Sequence, residues 1–174
     1  DAMGSSLALH FFLKRLGKKS QVIVPNSYPE FLKWMPGDKS VMIYDKSEDK
    51  ATKLVLKSDL IFTLDFNTLD RIEKLGEVIA RSDAKKVMID HHRQPANFAD
   101  IALHNVNACS TCELIYDLMV GLGSKKLMDK NIAACLYTGI MTDTGSFRYP
   151  SVNPKTHLVV SELLQIGINP ADIH

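Results

Sequence analysis

Apolar side chains recur at helical spacing at the start of the chain. Leu9, Phe12, Leu13 and Leu16 fall on one face of residues 3–16, and Gly17 follows as a stop. The pattern then shortens. Apolar runs at residues 21–24 (ended by Pro25), 41–44, Leu60–Leu64 and 87–89 read as strands. A polar helix is predicted between them from about residue 47 to 57, and another helix over 69–81. Strands alternating with helices at this interval imply βαβ units. The fold class is therefore α/β, a mostly parallel sheet flanked by helices on both faces.

The second half of the chain is helical. Residues 110–120 place Cys112, Ile115, Tyr116 and Met119 on one face, and further helices are predicted at 131–141 and 155–166. There are no internal repeats or low-complexity tracts. The linker-like stretch at 149–154 is too short to mark a domain boundary, so residues 1–174 are expected to form one domain.

Bulk properties narrow the function. Hydrophobic residues make up 45% and charged residues 24%, the profile of a soluble globular protein. Twenty-one basic against 20 acidic side chains give a net charge of +1. That balance speaks against a broad basic face for long duplex nucleic acid and leaves a small phosphate ligand open. No apolar run is long enough to cross a bilayer. Three cysteines do not make a disulfide framework, so a reducing, cytoplasmic compartment is expected.

Two strands end at residues with chemistry. Leu60–Leu64 runs into Asp65, and residues 87–89 run into Asp90-His91-His92. In an open parallel sheet, ligands bind beyond the carboxyl ends of the strands. Carboxylates with imidazoles form the ligand set of divalent metals such as Mn²⁺, and two such ions sharing a carboxylate suit the hydrolysis of phosphate esters. An Asp at a strand end is also a common turn former, the reading taken for Asp45, and for Asp65 alone the two readings weigh equally. Adjacent histidines after an apolar strand are harder to assign to structure alone.

Two more carboxylates stand at helix ends. Asp1, ahead of Ala2-Met3-Gly4-Ser5-Ser6, is either an N-cap or a carboxylate beside free N–H groups suited to phosphate. Asp143, in Thr142-Asp143-Thr144-Gly145-Ser146-Phe147-Arg148-Tyr149, ends a helix where the dipole disfavours an anion, an objection a metal would remove. Cys109-Ser110-Thr111-Cys112 is a C-x-x-C, but Ser110 and Glu113 match a capping box and account for the segment without thiol chemistry. His10, His104 and His157 read as solvated or packed. Trp34, before Pro36-Gly37, reads as packed, with base stacking as the other option. Lys18-Lys19 and Lys125-Lys126 suit helix ends or solvent.

The ordered set Asp1-Ala2-Met3-Gly4-Ser5-Ser6, Asp65, Asp90-His91-His92 and Thr142-Asp143-Thr144-Gly145 resembles the four motifs of the DHH phosphoesterases. The resemblance is closest to the branch of oligoribonucleases, phosphatases of 3′-phosphoadenosine 5′-phosphate and exopolyphosphatase-related proteins. It implies two Mn²⁺ ions, with Mg²⁺ or Co²⁺ as substitutes, bridged by Asp65, with Asp1, His91 and Asp143 completing one shell. It implies that His92 contacts substrate or donates a proton, that Asp90 orients the histidines, and that Arg148 is a candidate phosphate clamp. In the family a His and a further Asp stand just before the position of Asp1, and a smaller C-terminal domain of the DHHA1 type grips substrate. Residues 1–174 are thus expected to be the catalytic domain, truncated at the start and without that second domain.

The function implied is hydrolysis of short oligonucleotides or 3′-phosphoadenosine 5′-phosphate by two-metal activation of water. Alternatives are an exopolyphosphatase, a pyrophosphatase, or an idle nucleotide-binding module. The expected partner is the nucleotide substrate, without membrane; dimerisation is left open.

Overall fold

The computed structural model describes residues 1–173. It bears out the α/β class: every paired strand is parallel and helices flank the strands. Helix α1 (Ala2–Arg15) is followed by strand β1 (Ile23–Val24), strand β2 (Met42–Ile43) and helix α2 (Glu48–Lys57). Strand β3 (Leu60–Leu64), helix α3 (Glu73–Arg81), strand β4 (Lys85–Asp90) and strand β5 (Ile101–His104) come next. Helices α4 (Thr111–Gly121), α5 (Lys130–Asp143) and α6 (Pro154–Gln165) complete the order.

The sheet differs from the single one expected. It lies in two parts, β1-β2 and β3-β4-β5. Between β1 and β3 runs a groove of about 830 Å³, with Leu9 and Leu13 of α1 on one side and Val55, Leu75 and Ile79 of α2 and α3 on the other. Strand β5 was not anticipated. It is short and on the sheet edge, with Ile101 61% exposed, so no buried apolar run announces it.

The helix expected over 69–81 is divided. A 3-10 turn at Leu69–Ile72 precedes α3, and the junction residue Glu73 has a φ of +51°. The turn folds back onto the helix: a Cβ on Gly76 would lie 2.0 Å from the Leu69 carbonyl oxygen, so only glycine fits there. Trp34, read as packed, is 43% exposed.

Side-chain alternation along the strands makes two cores. Phe62, Leu64, Val87 and Ile89 join α1, α4, α5 and α6, whereas Ile61 joins α2 and α3. Helix α6 belongs to the larger core through Val159 and Leu163, so the stretch at 149–154 is a turn within it. Its start is well specified: Asn153 and Thr156 form a reciprocal capping box and Pro154 occupies the first turn. Among the described residues, no helix is long and apolar enough to cross a membrane.

Candidate metal centre

Parallel strands β3 and β4 are in register, Leu64 beside Ile89, so both release their next residues at the same sheet edge. Asp65 follows β3 with a φ of +69°, a left-handed conformation that Asp tolerates better than most residues, and its N–H donates to the Ile89 carbonyl at 3.1 Å. Asp90 ends β4 fully buried, and His91 and His92 follow it.

Asp1 sits at the head of α1 but makes no side-chain capping bond there. Its carboxylate instead accepts from the backbone N–H groups of Thr111 at 2.6 Å and Cys112 at 3.0 Å. These are orphan donors at the positive end of α4, where an anion is stabilised. Asp1 thus stands at the N-cap position of α1, while its carboxylate lies against the start of a different helix, α4.

Asp143 is the last residue of α5. Thr144 closes that helix, its hydroxyl donating to the Ile140 carbonyl at 2.6 Å. Gly145 then turns the chain with a φ of +55°, with the Tyr149 ring packed where a Cβ would be. An acid at this negative helix end needs a cationic neighbour, and His91 Nε2 lies 3.2 Å from Asp143 Oδ2.

His91 is the centre of the arrangement. Its Nδ1 faces the Ala108 carbonyl at 3.3 Å, which assigns the proton to Nδ1 in the neutral ring. Nε2 is then a bare lone pair, buried and without a hydrogen-bond partner. Carboxylate oxygens of Asp1 and Asp65 each lie 3.7 Å from it, besides Asp143. Lone pairs converge there from several sides, which only a proton or a cation can satisfy. Burial works against a charged His91 ring, but Asp143 and Asp65 outweigh it and raise its pKa. Burial also raises the pKa of Asp65, with the Asp143 charge adding to it and the Thr111 hydroxyl bond opposing it.

This donor set fits divalent metal. Two overlapping groups, Asp65-His91-His92 and Asp1-His91-Asp143, each have donor atoms within 4.8 Å of one another. The groups share His91. His92 is held through Nδ1, 2.6 Å from Asp90 Oδ1, which leaves Nε2 as its uncommitted nitrogen. Asp90 acts on His92 directly and not on His91.

The structure therefore gathers Asp1, Asp65, Asp90, His91, His92 and Asp143. Arg148 is exposed, and its Nε donates to the Gly145 carbonyl at 2.7 Å. Sequence reading missed several supports. The Thr111 hydroxyl donates to Asp65 Oδ1 at 3.0 Å. His104, set beside Asp90 by the β4–β5 register, donates through Nε2 to the His92 carbonyl at 2.6 Å. The capping signature at Ser110 announced the start of α4, but not what its N–H groups would hold. Removing a ligand's supporting bond commonly costs 10–100-fold in metal affinity. Thr111→Val, which keeps the shape and deletes the donor, is expected to weaken divalent-metal binding by about tenfold in a calorimetric titration.

The thiol reading stays minor. Cys109, Cys112 and Cys135 are free and buried. Burial, aided by the Glu113 carboxylate, pushes the Cys109 thiol up to about 12. Burial pushes Cys135 to about 12 as well, and Cys112 well above the usual thiol range. All three are expected to resist iodoacetamide at neutral pH in the folded protein and to react after unfolding, as peptide mass mapping would record.

Comparison with known proteins agrees with this geometry. Residues 1–140 match the DHH family, N-terminal domain. A bifunctional oligoribonuclease and PAP phosphatase, NrnA, of Thermus thermophilus is 30% identical over 173 residues, which are 99% of this chain and 48% of that protein. The Bacillus subtilis protein of the same name is 27% identical over 155 residues, 87% of this chain and 48% of that protein. The crystal structure of an exopolyphosphatase-related protein from Bacteroides fragilis superposes with a TM-score of 0.98 at 45% identity, covering 99% of this chain and 51% of that one. The chain spans about half the length of each of these relatives.

Proposed function

The chain belongs to the DHH family of phosphoesterases, and we propose that it is the metal-holding catalytic part of an enzyme that hydrolyses short oligonucleotides or 3′-phosphoadenosine 5′-phosphate. The observation that carries this reading is the bare, buried Nε2 of His91 among the carboxylates of Asp1, Asp65 and Asp143. Asp1, Asp65, His91 and Asp143 would hold divalent metal, with Mn²⁺ as the cation. Bound there, divalent ions supply positive charge to the phosphoryl oxygens and acidify the attacking water.

The remaining steps belong to the protein. Asp90 holds the Nδ1 proton of His92, so Nε2 is free to carry a proton to the leaving oxygen of the ester. His104 fixes the backbone of that residue through its carbonyl. Arg148 retains unpaired guanidinium nitrogens, among the described residues, for a substrate phosphate.

The test is Mn²⁺-dependent release from four substrates: a dinucleotide, 3′-phosphoadenosine 5′-phosphate, pyrophosphate and polyphosphate. Turnover of the first two supports the proposal. Turnover of polyphosphate alone would replace it with the second reading, favoured by the description of the Bacteroides fragilis relative. Nucleotide binding without turnover of any substrate would identify an idle binding module.

A further inference from the structure

Glu113 is 1% exposed and lies inside the first turn of α4, directly after Thr111 and Cys112, whose N–H groups hold Asp1. A buried carboxylate of this kind is costly unless paired, and this one is fully engaged. Its Oε2 accepts from Cys109 Sγ at 3.0 Å and from Thr156 Oγ1 at 3.2 Å. Its Oε1 lies 3.4 Å from Lys155 Nζ, which also pairs with Asp117. The sequence signature Ser110-x-x-Glu113 suggests a reciprocal capping box, but only half of it forms. Ser110 accepts from the Glu113 N–H at 3.1 Å, while the Glu113 side chain turns inward to α6.

The residues so tied are those that place the metal ligands. The turn running from Ala108 through Cys109 into α4 presents the Ala108 carbonyl to His91, the N–H groups of Thr111 and Cys112 to Asp1, and the Thr111 hydroxyl to Asp65. No residue of that turn is itself among the assigned metal ligands. The turn is tied to the Ser110 cap and, through Glu113, to α6.

We propose that Glu113 is a positioning residue: by joining Cys109 to Thr156 and Lys155 it holds the head of α4 where its donors orient Asp1, Asp65 and His91 for metal. This rests on the reading of that cluster as a metal centre. Loss of the link lets the turn shift, so ligand geometry degrades while the helices stay packed.

The experiment is a calorimetric Mn²⁺ titration with thermal melts of the metal-free proteins. Glu113→Ala is expected to weaken Mn²⁺ binding by about 10–100-fold. Glu113→Gln keeps an oxygen for Cys109 and Thr156 and is expected to recover most of the affinity. Leu163→Ala, a fully buried α6 position outside the network, supplies the control. It is expected to lower the melting temperature while leaving Mn²⁺ affinity within about twofold, since its apolar side chain makes no hydrogen bond to a ligand support. Should Glu113→Ala fail to fold, Cys109→Ala removes one link and is expected to weaken binding to a lesser degree. Unchanged affinity in Glu113→Ala, or in Cys109→Ala where that variant replaces it, overturns the proposal, as does an equal loss in Leu163→Ala. Failure of the unaltered protein to bind Mn²⁺ overturns the metal reading and this one with it.

Discussion

Asp65→Asn is expected to reduce metal-dependent ester hydrolysis by more than about a hundredfold, beyond what loss of a supporting partner alone produces. The change isolates charge from conformation. Asp65 holds a φ of +69°, which Asn adopts as readily, and the Thr111 hydroxyl still finds an oxygen to bond. What disappears is one of the negative charges around the bare Nε2 of His91. Stability is expected to move the other way. Burial raises the pKa of Asp65 above its ordinary value, so in the metal-free protein its ionisation destabilises the fold. The contribution of Asp65 is therefore fully present at pH values below the unfolded carboxylate range and is lost as pH rises through the raised value. Asp65→Asn lacks that loss. Melting in chelator from pH 4 to 8 is expected to show the metal-free variant at least as stable as the parent at neutral pH. Full hydrolytic activity in the variant would remove Asp65 from the metal set.

Gly139→Ala is expected to destabilise the protein by about 1–3 kcal/mol, the range for an overpacked core, although helix propensity alone favours Ala by about 1 kcal/mol. Gly139 lies inside α5, and a Cβ there would sit 2.1 Å from Cys112 Sγ and 3.0 Å from Asp1 Oδ1. The opposing side of the contact is equally tight. A Cβ on Gly4 of α1 would lie 2.5 Å from the Cys135 carbonyl oxygen. Helices α1, α4 and α5 meet at this point because their contact residues are small, and the closeness of α4 and α5 brings Asp1 and Asp143 to one histidine. At about 2–4 °C per kcal/mol for a chain of this size, the melting temperature is expected to fall by several degrees. Mn²⁺ affinity is expected to fall as well, because Asp1 must yield. Combining the change with Cys112→Ala removes the obstructing sulfur, and a double-mutant cycle is expected to show recovery. A cycle with no coupling would mean that the helix spacing is set elsewhere.

Much of this protein is legible in one dimension. Helices announced themselves by apolar period, as in α1 with Leu9 and Phe12, or by caps, as in α4 with Ser110. Strand β4 did so as an apolar run. These signals are local, arising from backbone geometry and from which side a residue presents. The ligand candidates were equally visible, because Asp65 and Asp90-His91-His92 end strands and such ends lie at one edge of a parallel sheet. Strand β5, the break ahead of α3 and the division of the sheet were not visible. They depend on exposure, on the close fit of the Leu69 carbonyl over Gly76, and on which strands become neighbours.

Tertiary structure decided what each candidate touches. Asp1 precedes α1 in the chain, yet its carboxylate belongs to α4, over a hundred residues away, because that helix start supplies unpaired donors. His104 reads as an ordinary histidine until β5 pairs with β4 and lays it beside Asp90. Glu113 reads as a capping residue until α6 packs close enough to claim its side chain. The sequence by itself determined the element types and the residues able to hold a metal, since both follow from local chemistry. The meeting of three carboxylates at one imidazole required the packing of helices against a sheet, where contacts between distant residues are set by volume and unsatisfied polar groups.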